Sequence, residues 1–191
     1  MTLLDYFNNC QYSGKWKTIG NDLQYKLESN ILYLQPTSSN SDWKINFNFF
    51  PRSYKNQNIK WFMHRGFFNQ WQSVRDILLP ELLTIEDLII VGYSHGGGLA
   101  QIIHEDIYFH TGKNIETILF GSPKSIWFIN YNKVKNRFQN IYNYQVQGDL
   151  ITKLPLLLFG FITIGLKIKL GKYHIPWPSR HEQKYYRKYL E

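Results

Sequence analysis

The sequence predicts one α/β domain in which a mostly parallel central sheet is flanked by helices. Three observations indicate this architecture: short apolar segments bounded by turn residues, segments with apolar residues at helical spacing between them, and a glycine-rich turn that joins the two kinds. The chain has 191 residues, which suits a single domain that buries a sizeable core without disulfides or metals. We therefore expect residues 1–191 to form one domain.

The amino-terminal part is predicted to contribute strands before the first helix. Residues 22–35 begin with apolar residues at alternate positions and end on an apolar run, and strict alternation returns at 43–49. Residues 36–42 and 51–60 are polar or rich in turn-forming residues, which predicts loops. Residues 66–83 carry apolar side chains three to four positions apart, which predicts one helix.

The central part alternates between buried strands and a helix. The run 88–91 is wholly apolar and lies between an aspartate and a glycine, which is typical of a buried parallel strand. A helical stripe follows over 99–107, with Gly112 as its expected end. Further buried strands are predicted at 115–120 and 140–146. Strand, helix and strand at this spacing are typical of βαβ units, whose strands lie parallel.

The carboxy-terminal part is predicted to add a strand and a helix. Apolar and polar residues alternate through 161–170, and from Pro178 onward we expect a loop followed by a helix. The longest apolar stretch, 154–166, has 13 residues and is too short to cross a bilayer. The amino-terminal residues lack the basic start and apolar run of a signal peptide. These features predict a soluble protein that is cytoplasmic or released without a signal peptide.

The charge is uneven along the chain. The net charge is +8, and residues 150–191 hold eight lysines and arginines against two glutamates. Such a region suits peripheral contact with an anionic membrane surface or with nucleic acid, and a solvated lysine-rich face explains it equally well. The sequence contains no recognisable nucleic-acid-binding motif, so no nucleic-acid partner is expected. The oligomeric state is left open.

Metal and disulfide chemistry are not expected. The single cysteine, Cys10, excludes an internal disulfide framework and a cysteine-based zinc cluster. His104, Glu105 and His110 do not have the H-E-x-x-H spacing that places two histidines on one helix face.

The feature that points to chemistry is the segment 92–96, Gly-Tyr-Ser-His-Gly, directly after a buried strand and directly before a helix. In this context G-x-S-x-G is typical of a nucleophile elbow, which exposes a serine hydroxyl on a sharp turn. Ser94 is then the predicted nucleophile, and the backbone N–H of His95 is a predicted oxyanion donor at the helix amino terminus. The alternative is a glycine-rich turn that only packs closely.

A serine hydroxyl needs a base and an acid that orients the base. Asp149 is the predicted acid, because it follows a strand and Gly148 at the edge of the sheet where α/β proteins place their sites. Two late histidines could be the base, His174 and His181, and spacing alone does not decide between them.

Five segments of the sequence also follow one another in an order found in a known family. They are the oxyanion segment at 34–37 with its continuation at 42–46, the H-x-G-F and W pattern at 64–71, the elbow at 92–100, the F-G-S-P strand end at 120–123, and the acid segment at 149–155. From about Ile31 to its carboxy terminus, the chain resembles a short member of the class 3, or fungal-type, lipase family of α/β-hydrolases.

The resemblance implies a serine carboxylester hydrolase that acts on lipid or small esters without a metal or cofactor. It assigns the nucleophile to Ser94 and the acid to Asp149. It favours His181 as the base over His174, because the family's histidine lies in a late H-x-x-x-Y context. It also implies that Thr37 supplies the second oxyanion donor.

The sequence departs from the family pattern in two places. Pro36 stands where the family carries glycine, and few residues separate Asp149 from His181, so the region that would hold extra strands is short. The lid is also expected to be reduced, to residues 38–45. These departures motivate an alternative, a catalytically idle α/β-hydrolase scaffold that binds a membrane surface or another protein. The sequence does not separate triacylglycerol lipase, phospholipase A1 and small-ester esterase. The apolar segment 154–161 is an acyl-chain wall, an interfacial patch or core.

Overall fold

A computed structural model describes residues 1–11, 14–36, 48, 50–56 and 59–191. Within these ranges the chain forms an α/β fold with a larger, mostly parallel sheet, a smaller antiparallel sheet and flanking helices. The predicted fold class is confirmed. The prediction that residues 1–191 make up one domain stays a prediction.

The larger sheet has seven strands among the described residues. In spatial order they are β1 (Lys17–Ile19), β2 (Leu23–Glu28), β3 (Ile31–Leu34), β6 (Ile89–Tyr93), β7 (Glu116–Phe120), β9 (Ile141–Val146) and β11 (Leu166–Leu170). The strands from β3 to β11 run parallel, whereas β1 and β2 form an antiparallel edge. The parallel strands carry their carboxyl ends to one edge, and the candidate site lies there.

The smaller sheet has four described strands. In spatial order they are β10 (Phe161–Ile162), β8 (Ile126–Trp127), β5 (Ile59–His64) and β4 (Pro51–Asn56). All of its pairings are antiparallel.

The helices cover both faces of the larger sheet. They are α1 (Leu3–Asn9), α2 (Arg65–Gln72), α3 (Arg75–Leu83), α4 (His95–Thr111), α5 (Tyr131–Val134) and α6 (Gln183–Leu190). Short 3-10 turns lie at Lys135–Phe138, Ile151–Lys153, Leu157–Phe159 and Pro178–His181. Of the helices in the described ranges, none combines the length and the apolar character that crossing a membrane requires.

The two faces of the larger sheet bury separate apolar clusters. Successive residues of a strand point to opposite faces. In β3, Leu32 and Leu34 therefore join the cluster covered by α2, α3 and α4, whereas Ile31 and Tyr33 join the cluster covered by α1 and α6. Burial on both faces explains why the central strands β3 and β6 are continuous apolar runs in the sequence.

The predicted single helix over 66–83 is wrong, because two helices occupy this region. The break falls at Ser73 and Val74, where Val74 leaves helical backbone geometry with a φ of −128°. The Ser73 hydroxyl donates to the carbonyl of Gln70 over 2.7 Å and accepts the N–H of Asn21 over 3.0 Å. A side chain that bonds the backbone in this way competes with helical pairing.

The loop predicted over 51–60 is also wrong, because these residues form much of the β4–β5 hairpin, paired in register from Pro51 opposite His64 to Asn56 opposite Ile59. Residues 51–60 pair through their backbone but carry no alternating apolar pattern, which is the feature that indicates a half-buried strand in a sequence. The strand predicted over 43–49 falls outside the described residues, apart from Asn48.

Two predicted strand segments are divided. Residues 22–35 form the antiparallel pair β2 and β3, which turns at Ser29 with a φ of +55°. Residues 161–170 form β10 in the smaller sheet and β11 in the larger one. The chain passes between the sheets at Gly165, where a Cβ atom would lie 2.4 Å from the carbonyl oxygen of Ile141. Alternation in the sequence spans both strands and so conceals the division.

Candidate active site

The turn after β6 holds Ser94 in a backbone conformation that residues other than glycine rarely adopt, with φ +56° and ψ −121°. Its N–H donates to the carbonyl of Phe120 on the neighbouring strand over 2.9 Å. The glycines on either side are required by space: a Cβ atom at Gly92 would lie 2.5 Å from the carbonyl oxygen of Gly96, and one at Gly96 would lie 2.3 Å from that of Leu34. Backbone strain of this kind is concentrated at functional sites.

His181 lies against the Ser94 hydroxyl. Its Nε2 is 2.7 Å from the Oγ of Ser94, and its Nδ1 is 2.8 Å from Oδ2 of Asp149. The carboxylate can only accept, so Nδ1 carries the proton and Nε2 is left to accept from the serine hydroxyl. The ring of Tyr93 stacks on the imidazole with centroids 5.0 Å apart, and the Tyr93 hydroxyl donates to the backbone carbonyl of His181.

Asp149 follows β9 and is fully buried. Besides Nδ1 of His181, its carboxylate accepts the N–H of Ile151 over 2.8 Å and the hydroxyl of Tyr186 over 2.6 Å. Burial, and next the negative charge of Asp149, raise the pKa of Tyr186 well above its ordinary value. The phenol therefore stays protonated and remains a donor to the carboxylate.

A glycine makes room for this group of side chains. Gly121, at the end of β7, has a φ of +56°, and a Cβ atom there would lie 2.9 Å from Cε1 of His181 and 2.8 Å from the Tyr186 hydroxyl. The imidazole and the phenol therefore fit over β7 because position 121 has no side chain.

Three of the predicted site residues come together: Ser94, His181 and Asp149 form one hydrogen-bonded chain. His174 does not join it, and its backbone packs against Gly148 instead. Thr37, the predicted second oxyanion donor, and the predicted lid at 38–45 lie outside the described residues.

His95 lies next to Ser94, and its backbone N–H belongs to the first turn of α4. Its imidazole is buried, with Nε2 2.8 Å from Oε1 of Gln70, and the ring of Phe67 packs edge-on against it at 5.1 Å. The side chain is thus held in the core while the backbone faces the elbow turn.

Tyr186 is a site residue that sequence reasoning missed. The family context for the histidine draws attention to Tyr185, but Tyr185 lies under the guanidinium of Arg180, 4.7 Å from its ring centroid, and Tyr186 is the residue that reaches Asp149. The available signal was a pair of tyrosines four and five residues after His181.

A cavity of about 960 Å³ opens over Ser94 and His181. Much of its lining is apolar, and we call this part the apolar wall, whereas α6 contributes polar and charged side chains. The apolar wall consists of Phe67, Pro123, Ile151, Leu154, Pro155, Leu156 and Phe159. Pro36, immediately before the predicted donor Thr37, also lines the cavity.

Each of His104, Glu105 and His110, which we considered above as metal ligands, has a protein partner. Nε2 of His104 lies 2.6 Å from the carbonyl oxygen of Arg137, whose guanidinium pairs with Glu105. Nδ1 of His110 lies 2.8 Å from the carbonyl oxygen of Asp106. These contacts give the three side chains structural roles in the packing of α4.

Comparison with known proteins identifies the family. The model of the family described as lipase (class 3) matches residues 31–159, which is more than half of the chain. The chain belongs to the class 3 lipase family. The matched range of this family member includes the elbow and Asp149, and it ends before His181. No curated protein sequence matches the chain.

Several lipases of known structure share this fold. A fungal lipase–inhibitor complex, described as a model for interfacial activation, superimposes with a TM-score of 0.71 at 20% identity over 83% of this chain and 66% of that one. The propeptide complex of Rhizomucor miehei lipase gives 0.67 at 20% identity, over 82% and 55%. A triacylglycerol lipase whose catalytic centre is formed by a serine protease triad gives 0.66 at 19% identity, over 83% and 66%. This class 3 family member thus spans between about half and two thirds of the length of these lipases.

Proposed function

We propose that the protein is a serine carboxylester hydrolase that cleaves lipid or fatty-acyl esters through an acyl-enzyme. The observation that carries the proposal is the hydrogen-bonded chain from Ser94 through His181 to the buried Asp149, at the base of a cavity with an apolar wall. Membership of the class 3 lipase family supports the same reaction class.

Acylation begins when Ser94 Oγ attacks the ester carbonyl carbon and its proton passes to Nε2 of His181. The pair of electrons of the carbonyl double bond moves to oxygen and gives a tetrahedral oxyanion. Asp149, bonded to Nδ1, stabilises the imidazolium that forms. Collapse of the intermediate breaks the ester C–O bond, and the departing alkoxide takes the proton from Nε2 and leaves as an alcohol.

Deacylation repeats these steps with water. His181 removes a proton from water, the resulting hydroxide adds to the acyl carbon, and the second tetrahedral intermediate expels Ser94, which regains its proton. The products are a carboxylic acid and the free enzyme. We assign stabilisation of both oxyanions to the backbone N–H groups of His95 and Thr37, each worth about 3 kcal/mol of barrier.

The cavity supports an acyl substrate. The same cavity is lined by Ser94 and by apolar side chains that include Leu156 and Phe159, so a hydrocarbon chain placed against them is removed from water while its ester carbonyl reaches the serine. Rates on p-nitrophenyl esters of increasing chain length test this point. We expect kcat/KM to rise from acetate to medium-chain esters, and a maximum at acetate with no gain at a lipid surface would restrict the enzyme to small esters.

Labelling with a fluorophosphonate followed by intact-mass measurement tests the nucleophile and its base. We expect one adduct on the unmodified protein, no adduct on Ser94→Ala, and strongly slowed labelling of His181→Ala. His174→Ala is the matched control and should label normally. Rapid labelling of His181→Ala with loss in His174→Ala would move the base to His174. If the unmodified protein is never labelled, the result would contradict the proposed hydrolase and favour the catalytically idle scaffold.

A further inference from the structure

Several exposed apolar side chains line the cavity or directly adjoin a residue that does. Leu156, Leu158 and Phe159 are 44%, 76% and 42% exposed, and the first and last of these line the cavity. Trp177 is 66% exposed and directly precedes another cavity residue, Pro178. We call Leu156, Leu158, Phe159 and Trp177 the apolar rim. Single exposed apolar residues are ordinary, whereas a group beside a cavity opening is typical of a contact surface.

Three lysines lie beside the apolar rim, and we call Lys124, Lys153 and Lys167 the lysine cluster. Lys124 Nζ donates to the carbonyl of Pro155 over 3.3 Å, and its backbone N–H donates to the carbonyl of Leu154 over 2.8 Å. The cluster is therefore attached to the segment that leads into the rim.

The lysines of the cluster act on one another. Partial burial lowers the pKa of Lys124, and the positive charges of Lys153 and Lys167 lower it further. The pKa of Lys167 is lowered in the same way by partial burial and then by Lys153 and Lys169. Within the described ranges, none of the three forms an ion pair with a carboxylate. No paired carboxylate in the described part of the protein offsets the repulsion, and an external anionic partner would relieve it.

We propose that the apolar rim and the lysine cluster form one docking surface for an anionic phospholipid bilayer, which seats the cavity opening against the lipid. An anionic membrane attracts each nearby lysine, and apolar side chains enter the boundary between head groups and acyl chains. Stable attachment at a membrane generally needs two such signals together, and this surface supplies both. The binding itself does not depend on catalysis, and only its purpose rests on the proposed function.

Two other partners fit the surface less well. Nucleic acid offers phosphates to the lysines, but it has no apolar phase for Leu158 or Trp177 to enter. A second copy of the chain in a two-fold dimer would bring the lysine cluster of one copy towards that of the other, on a protein whose net charge is already +8. A lipid surface satisfies the charge and the apolar side chains together.

Vesicle sedimentation with the Ser94→Ala protein, which leaves the lipid intact, tests the surface. We expect binding to vesicles of equal parts phosphatidylcholine and phosphatidylglycerol, and weak binding to phosphatidylcholine alone. Replacing Lys124, Lys153 and Lys167 by glutamine should weaken binding to the anionic vesicles about a hundredfold. Raising the salt concentration should weaken binding of the parent protein but change little in this variant.

The matched control replaces Lys113, Lys133 and Lys135 by glutamine. These exposed lysines lie around the far end of α4, whose 17 residues place it about 25 Å from Ser94. The control removes the same charge and should keep its anionic binding within about threefold of the parent. Equal losses in the two triple variants would overturn the proposal, because net charge and not this surface would then control binding.

A second pair of variants tests the apolar rim without touching the lysines. Leu158→Asn should weaken vesicle binding about tenfold, whereas Ile77→Asn, at a position 70% exposed on α3, should not change it. All four variants, made in the active protein, should retain hydrolysis of a soluble short ester. Normal vesicle binding without ester hydrolysis would contradict the proposed function alone, and hydrolysis without vesicle binding would overturn the docking surface alone.

Two further results would also overturn the docking surface. One is that the parent protein binds duplex DNA at physiological salt but does not bind vesicles, and that replacing the lysine cluster by glutamine abolishes the DNA binding. The other is a dimer in solution that Leu158→Asn converts to a monomer.

Discussion

The hydroxyl of Tyr186 donates a 2.6 Å hydrogen bond to Oδ2 of Asp149. The same carboxylate oxygen lies 2.8 Å from Nδ1 of His181, so the phenol and the imidazole share one acceptor. Tyr186 is fully buried and its hydroxyl also accepts the N–H of Val146 over 3.3 Å. The tyrosine thus connects the carboxylate to the end of β9.

Tyr186→Phe should lower kcat for ester hydrolysis about tenfold to a hundredfold, with a smaller change in KM. The carboxylate loses a hydrogen bond of the charged kind, worth about 1.5–3 kcal/mol, and holds the imidazole less firmly. Kinetics on a soluble ester measure the effect. Tyr185→Phe is the control, because Tyr185 lies under Arg180 and its substitution should leave kcat near that of the parent. A Tyr186→Phe enzyme with unchanged kcat would rule out this positioning role.

Asp149→Asn should reduce kcat about 10⁴-fold while the protein remains folded. An amide in place of the carboxylate no longer favours the imidazole tautomer that presents an unprotonated Nε2 to Ser94. Loss of the carboxylate also removes the negative charge that stabilises the imidazolium. Steady-state kinetics with circular dichroism as a check on folding give the measurement, and a reduction of less than tenfold would show that another carboxylate orients His181.

Gly96→Ala should destabilise the protein by about 3 kcal/mol or more, because the new Cβ atom would lie 2.3 Å from the backbone carbonyl oxygen of Leu34. Gly112→Ala is the comparison. A Cβ there meets nothing within 4 Å, so only its φ of +70° opposes it, at a cost of about 1–2 kcal/mol. Urea unfolding of both variants measures the difference. Equal losses of stability would show that the turn relaxes away from β3.

Stability should fall as the pH is lowered from about 6.5 to about 4, in part because of His104. Burial lowers the pKa of this histidine to about 4, partly opposed by its hydrogen bond to the carbonyl of Arg137. The unfolded chain therefore binds a proton in this window that the folded protein does not. The contribution is fully present above pH 6.5 and about 3 kcal/mol is lost as the pH reaches 4.

His104→Gln isolates that contribution. Glutamine cannot take up the proton, and its amide can still bond the Thr117 hydroxyl and the Arg137 carbonyl, which lie 2.8 and 2.6 Å from the two imidazole nitrogens. Free energies of unfolding at pH 7.5 and pH 5 should then differ less in the variant than in the parent. The same pH dependence in both proteins would mean that other groups cause it.

The sequence predicted the local parts of this molecule well. The central strands β3 and β6 are short apolar runs, and the elbow is one contiguous segment whose glycines are required within a few residues, so the sharp turn at Ser94 could be predicted from its neighbours. The break between α2 and α3 could not, because Ser73 is tied to Asn21, 52 positions away. The β4–β5 hairpin was missed because residues 51–60 carry no alternating apolar pattern.

The residues of the candidate site also differ in how far the local sequence could predict them. Asp149 could be predicted from its position after a strand, but the choice of His181 over His174 needed the family resemblance. Tyr186 was not predicted, because several tyrosines of the last helix could have faced inward, and only the packing of α6 against the sheet selects one.

Gly121 gives the F-G-S-P segment a meaning beyond its own strand end. A side chain at this position would meet the imidazole of His181 and the phenol of Tyr186, which lie 60 and 65 positions further along the chain. The glycine therefore indicates where the proposed base lies, even when the neighbours of the histidine are uninformative. In related short chains, a larger residue at this position would be an early sign that the base has moved or that the chemistry has been abandoned.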